Sequence, residues 1–352
     1  MAMTNKSTNH CYVIAEAGVN HNGDLNKAIE MIEVAAHAGA DAIKFQTFKA
    51  ENLVSLHAKT AQYQKDNAGH DNQYEMLKSL ELSYKDYQSL IQKASECNIE
   101  FMSTPFEEES LDFLIGLGMK KIKVASGEIT NLPFLRHMAS KNLPIILSTG
   151  MSSLEEIQEA ITVIHDERMN CGFHEPLQSI LTILHCTSNY PCPIEDANLK
   201  AITTIKENFH LPIGYSDHTV SLDVALVCMG LGMSVYEKHF TLDKNLPGPD
   251  HKASLDPQEL KEVISKIRMA ELSLGNGEKT ATPEELDVRK LVRKSILLVV
   301  SKEKGALITH SDIRLLRPGT GLPPKNVDQV IGAKAARDLT EGTMLEWSDL
   351  TL

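Results

Sequence analysis

The sequence predicts an α/β chain in two parts: a (β/α)8 barrel followed by a small β-rich module. Three observations predict it. Eight short apolar runs alternate with segments whose apolar residues recur at helical spacing. Polar and charged residues gather where those runs stop, which is the face on which such barrels carry their chemistry. Beyond residue 280 the helical pattern gives way to short β runs. The expected division is therefore 1–280 for the barrel and 281–352 for a linker and the module.

The first strand is expected at 12–15, with Glu16 at its end and the turn formers Asn20, His21 and Asn22 behind it. A helix follows with Ala28, Met31, Ile32 and Ala35 on one face, closed by Gly39. The second strand, 41–47, holds Lys44 inside an apolar run, where a lysine needs an anionic partner. Residues 48–82 are long, polar and poor in strand pattern, which reads as an extended loop closing over a site or as a surface insertion. Helical spacing resumes at Tyr87, Leu90, Ile91 and Ala94.

The third strand is 100–103, ending at Thr104. The fourth is 121–125, with Lys123 inside it and Ser126 and Glu128 past its end. The fifth is 144–147, ending at Ser148 and Thr149. Ser153 with Glu156 three residues on then marks a helix start. The sixth is 180–185. The seventh and eighth stop at His218 and His239, with a helix-like run between them. A last helix is expected over 257–274, with Leu260, Val263, Ile264, Ile267 and Leu272 as its apolar positions. In the tail, a glycine with an aspartate seven residues on occurs twice, at Gly305 and Asp312 and at Gly342 and Asp349. That repeat predicts a pseudo-symmetric module, with Arg317 on a Gly/Pro turn between its halves.

A hydrophobic content of 42% over 352 residues is enough for a sizeable core, and a net charge of −12 argues against a general nucleic-acid binder. No apolar run approaches the roughly 20 residues of a membrane span. The first ten residues lack a signal peptide's apolar centre, so a cytosolic protein is expected, its six cysteines free thiols.

The strand ends thus offer two histidines, two carboxylates, two in-strand lysines and several hydroxyls. Lysines with hydroxyls suit a phosphate or carboxylate. Two neutral imidazoles on neighbouring strand ends can share a divalent metal and leave positions open for water and substrate. The alternative is two separate hydrogen-bonded histidines. The set suits carbonyl chemistry on a small phosphorylated anion and does not name the substrates.

The motifs IAEAGVNHNG at 14–23, KFQT at 44–47, STPF at 103–106, SGE at 126–128 and STGM at 148–151 run in this order, followed by HCTS at 185–188, YSDHT at 215–219, EKHF at 237–240 and GPDHKAS at 248–254. Together they resemble the bacterial nonulosonic acid synthase family, which includes the sialic acid synthases. The tail resembles the SAF, or antifreeze-like, domain through its Arg317 turn. The resemblance spans nearly the whole chain.

It implies a transferase that condenses phosphoenolpyruvate with an open-chain N-acylated mannosamine, giving a nine-carbon 2-keto acid and phosphate. By the same resemblance His218 and His239 hold a divalent metal, most often manganese, with magnesium or cobalt as alternatives. Lys44, Thr104, Lys123, Ser126 and Ser148 match phosphoenolpyruvate-site positions, and Gln46 is a further substrate-binding position. Asn189, Tyr190 and Asp250 match sugar-binding positions, and Arg317 matches an arginine on the N-acyl group. Glu128 matches the carboxylate assigned to acid/base work, and the duty of Glu16 stays open between proton transfer and ordering the metal's water. The family's homodimers pass one subunit's SAF domain over the partner's barrel. The expected sugar is N-acetylmannosamine, with the 2,4-diacetamido precursor of N,N'-diacetyllegionaminate as the alternative. A non-catalytic sugar-binding protein is the competing class.

Overall fold

The structure is a computed structural model that describes residues 10–60 and 71–352. Eight parallel strands form a near-closed barrel: β1 (Tyr12–Gly18), β2 (Ala42–Thr47), β3 (Glu100–Pro105), β4 (Ile122–Val124), β5 (Ile145–Ser148), β6 (Leu181–Cys186), β7 (Ile213–Asp217) and β8 (Val235–His239). Hydrogen-bonded ladders run from β3 through β2, β1, β8, β7, β6 and β5 to β4. β4 packs beside β3, which closes the ring without a ladder.

Side chains alternate along each strand, so every second residue enters the barrel. Ile14, Ala42, Met102, Ile146, Leu184 and Val235 fill its middle as a separate apolar cluster. One step further toward the strand ends, the same parity delivers Glu16, Lys44, Thr104, Lys123, Ser148, Cys186, Ser216 and Glu237. The site is therefore the next layer of the barrel's own packing. Residues of opposite parity, such as Val13, Ile43, Phe45, Leu147, Ile183 and Tyr215, join the core between strands and helices.

The helices form where their ends are satisfied. Asp24 accepts the amides of Asn26 and Lys27 and starts the helix Leu25–Ala38, and Gly39 ends it at φ 89°. Ala28, Met31, Ile32 and Ala35 are its buried face, as the spacing predicts. Burying Met31 and Ile32 contributes about 1.5–3 kcal/mol each. Ser153 and Glu156 close a capping box on the helix Leu154–Asn170. The helix Pro257–Leu274 matches its expected span, with one correction: Leu272 is 83% exposed. Its position lies off the stripe that buries Leu260, Val263, Ile264 and Ile267.

The segment 48–82 also departs from expectation. It carries the helices Ala50–Leu53 and Gln73–Leu80, and Asn72 caps the second by accepting the amide of Glu75. Met76 and Leu80 pack with Val19 and Phe48 in a small cluster of their own. The expected lid falls partly on Gln62, Tyr63, Gln64 and Asn67, which lie outside the described residues.

The chain divides after Asn276. The second unit carries the helix Pro283–Val292, capped by Thr282, which begins where the short linker at 280–283 was expected to end. β9 (Ser295–Leu298) pairs antiparallel with β10 (Ile313–Leu316), and β11 (Lys334–Ala335) with β12 (Leu350–Thr351). The internal repeat is a structural one. Gly305 and Gly342 share φ 87°, and each is followed by a one-turn helix, His310–Asp312 or Trp347–Asp349. Each repeat aspartate accepts the amide three residues before it: Asp312 from Thr309 and Asp349 from Glu346. No described helix is long and apolar enough to cross a membrane, and all six cysteines are free.

Candidate active site

A cavity of about 340 Å³ opens at the carboxyl ends of the strands. Its lining includes Glu16, Lys44, Gln46, Thr104, Lys123, Ser126, Ser148, Tyr190, His218 and His239. Ten of the residues singled out in the sequence therefore meet at one place. Glu128 is not in the lining; it sits on the turn Ser126–Glu128 and its carboxylate accepts from Asn131 Nδ2 at 2.8 Å. Asn189 and Asp250 also lie outside the lining. Burial raises the Asp250 carboxyl to about 6. Arg317 belongs to the second unit and is exposed on its turn.

The floor is a buried lattice of charges. Lys44 Nζ lies 2.5 Å from Glu16 Oε2, donates to Thr104 Oγ1 at 2.9 Å and stands 3.8 Å from Glu237 Oε2. Lys123 Nζ donates to Ser148 Oγ at 2.7 Å and stands 3.6 Å from Glu237 Oε1, which also accepts from Ser216 Oγ at 3.0 Å. All four charged side chains are buried, so each needs a partner at close range. Glu237 escaped the sequence reading. Its signal was parity: it lies two residues before His239 on β8 and so faces the same interior.

The two acids differ. Burial pushes the Glu16 carboxyl up, and the pull of Lys44 only partly offsets it. Burial also works to raise Glu237, but Lys123, Lys44 and the Ser216 hydrogen bond outweigh it and hold that carboxyl well below its usual range. Glu237 is thus the fixed anion between the lysines, and Glu16 is the acid suited to exchanging a proton. Burial and the neighbouring Lys44 lower Lys123, against the pull of Glu237.

The histidines stand above this floor with ring centroids 5.8 Å apart. His218 Nδ1 lies 2.7 Å from the Thr187 carbonyl, which can only accept, so Nδ1 carries the proton and Nε2 presents a lone pair. His239 Nδ1 is buried with no hydrogen-bond partner among the described residues. Burial lowers His218 to about 4 and, with His218 beside it, holds His239 well below the usual range. Two neutral imidazoles, one with a partnerless buried nitrogen, fit a divalent cation. Among the described residues no cluster of three or more His, Cys, Asp or Glu joins them, so other ligands would be water or substrate. Gly18 keeps this corner open: a Cβ there would lie within 3.5 Å of Glu16 Oε1, Gln46 Nε2 and His239 Cε1.

A second corner suits an anion. The Gly150 amide donates to Ser126 Oγ at 3.0 Å. A Cβ on Gly150 would come within 2.2 Å of Ser188 Oγ and 3.2 Å of Cys186 Sγ. Three small polar groups thus converge on a glycine a few residues from Lys123 and Ser148 across the strand ends.

The NeuB family profile matches residues 31–279. The chain belongs to the NeuB family. Residues 303–351 match the SAF domain. Within the NeuB family the chain is 51% identical to the N,N'-diacetyllegionaminic acid synthase of Legionella pneumophila, over 97% of this chain and 94% of that one. It is 46% identical to the Campylobacter jejuni protein of the same name, over 95% and 98%. Among solved structures, the N-acetylneuraminic acid synthetase of Leptospira borgpetersenii superposes with a TM-score of 0.69 at 33% identity, over 82% of this chain and 95% of that one.

Proposed function

We propose that this NeuB chain is a metal-dependent nonulosonic acid synthase that joins phosphoenolpyruvate to 2,4-diacetamido-2,4,6-trideoxymannose, giving N,N'-diacetyllegionaminate and phosphate. The identity of 51% and 46% to synthases of that name, nearly end to end, carries the choice of sugar. The similarity to a sialic acid synthetase is weaker, at 33%. N-Acetylmannosamine, the sugar expected first, therefore yields to the alternative. The complete set of buried acids, lysines and histidines speaks against a non-catalytic sugar binder.

The charge lattice supports the chemistry. Lys123, Ser148, Ser126 and the Gly150 corner hold the phosphoenolpyruvate anion, with Lys44 and Thr104 on its other flank. Bound at His218 and His239, a divalent ion, manganese by family resemblance, supplies Lewis acidity for the sugar aldehyde. C3 of phosphoenolpyruvate attacks the aldehyde carbon, and the aldehyde oxygen takes up a proton. Glu16, a cavity carboxyl with raised affinity for a proton, supplies it. Water then adds at C2 and returns a proton to the carboxylate. Phosphate leaves by cleavage of the C2–O bond and takes up the proton that the new C2 hydroxyl loses on becoming the ketone, so the proton inventory of Glu16 closes over one turnover. Tyr190 walls the histidines, its ring 4.2 Å from that of His218. By family resemblance Glu128 stays the second candidate for acid/base work, and Asn189 and Asp250 are the sugar-binding positions. Arg317 meets the N-acyl group from the partner subunit of a homodimer.

The test is phosphate release by the purified protein. It should need phosphoenolpyruvate, the diacetamido sugar and a divalent ion together, and stop on chelation. Full turnover after thorough metal stripping, or no release with either aminosugar, refutes the reading.

A further inference from the structure

The mechanism uses the inward residues of β7 and β8 and leaves their outward residues without a role. Two of those are charged and buried: Asp217 is 0% exposed and Lys238 1%. They are register partners across the β7–β8 ladder and point away from the cavity, toward the helix layer. Asp217 Oδ2 lies 3.2 Å from Lys238 Nζ and accepts from Tyr236 Oη at 2.8 Å. Asp217 Oδ1 accepts the Thr219 amide at 2.8 Å, and Lys238 Nζ donates to the Thr219 carbonyl.

An ion pair in this layer is a poor stability device. Taking both charges out of water costs several kcal/mol each, and well-packed apolar side chains often do as well or better. An apolar pair could not, however, hold both polar groups of Thr219. The residue so held directly follows His218. The peptide joining His218 to Thr219 is fixed at both ends, since the Cys192 amide donates to the His218 carbonyl at 2.8 Å. With the ring's Nδ1 held by Thr187, little freedom remains to the imidazole. Lys238 also sits between Glu237 and His239, so the same pair ties together the strands that carry the two histidines.

We propose that Asp217 and Lys238, with Tyr236 behind them, are positioning residues that set the direction of the His218 imidazole relative to His239 for a divalent ion. The proposal rests on the reading of the histidine pair as a metal site. Groups that orient metal ligands typically change metal affinity by about 10–100-fold when removed.

The experiment measures Mn2+ affinity of the full-length protein without substrates, by electron paramagnetic resonance, beside a thermal unfolding curve. Lys238→Met and Asp217→Asn, which keep side-chain size, should each weaken Mn2+ binding by about tenfold or more. Tyr236→Phe, which removes one hydroxyl and keeps the ring, should weaken it less but measurably. Folded Lys238→Met and Asp217→Asn proteins with parental Mn2+ affinity overturn the proposal while leaving the metal site standing. If those two variants do not fold, Tyr236→Phe decides, and parental affinity there overturns it. A parent protein that binds no Mn2+ overturns the metal reading itself, and the proposal with it.

Discussion

Lys123 is the residue on which the anion account turns. It lies inside a short apolar strand, 3% exposed, with Ser148 and Glu237 as partners. Lys123→Met keeps the shape of the stem and removes the charge. It should raise the KM for phosphoenolpyruvate far more than that for the aminosugar, and steady-state kinetics with each substrate varied in turn reads this directly. Equal effects on both would make the lysine a strut of the barrel. Asp250 permits a test by pH. Its carboxyl is raised from 3.8 to about 6 by burial. Between those values the native protein keeps a proton that the unfolded chain has lost. Stability therefore falls as pH climbs through that window and stays reduced above it. Asp250→Asn removes the titration. Its melting temperature relative to the parent should be higher at pH 7.5 than at pH 4.5, and a constant difference across that range contradicts the account.

At the scale of elements, two glycines, one inside β7 and one two residues past the end of β5, separate fold from site. A Cβ on Gly214 in β7 would lie 2.4 Å from the Val235 carbonyl oxygen and 2.4 Å from Leu184 Cδ2, against backbone that cannot yield. Gly214→Ala should destabilise the barrel by about 1–3 kcal/mol, read by denaturant unfolding. A Cβ on Gly150 meets the Ser188 and Ser126 hydroxyls, which can turn aside. Gly150→Ala should leave unfolding nearly unchanged and impair phosphoenolpyruvate use. The reverse pattern would mean that the Gly150 corner is scaffold. Most elements were legible because their apolar spacing matches their burial: Ala28, Met31, Ile32 and Ala35 on the first helix, and Leu260, Val263, Ile264 and Ile267 on the last helix of the barrel. The helix Gln73–Leu80 was not, since only Met76 and Leu80 of its eight residues are buried and its polar remainder reads as loop. In the site, lysines inside apolar runs were visible because burying them alone is costly. Glu237 was hidden because it lies inside β8, two places before the strand's end, where an acid gives no local sign of the lysines it meets across the barrel. The outward pair Asp217 and Lys238 was hidden for another reason: its meaning lies in a cross-strand register that no local pattern carries.

At the scale of the whole molecule, the second unit raises the question of assembly. The helix Pro283–Val292 has no buried residue, and Leu286, Val288, Leu291 and Val292 are all more than 40% exposed. Apolar exposure of that extent fits a surface covered in a homodimer. In the proposed homodimer Arg317 would act in trans. Arg317→Ala should weaken aminosugar use by about 1.5–3 kcal/mol, the worth of a charged hydrogen bond, and spare phosphoenolpyruvate binding. Mixing Arg317→Ala chains with Glu16→Gln chains should restore activity, because one site in each mixed dimer regains both groups. No rescue, with subunit exchange verified by mass spectrometry, excludes the trans arrangement. The central claim concerns the sugar, and a competition tests it most directly. The protein is given limiting phosphoenolpyruvate with equal concentrations of 2,4-diacetamido-2,4,6-trideoxymannose and N-acetylmannosamine, and the nine-carbon products are counted by mass. The account predicts that N,N'-diacetyllegionaminate predominates; a predominance of N-acetylneuraminate would contradict it.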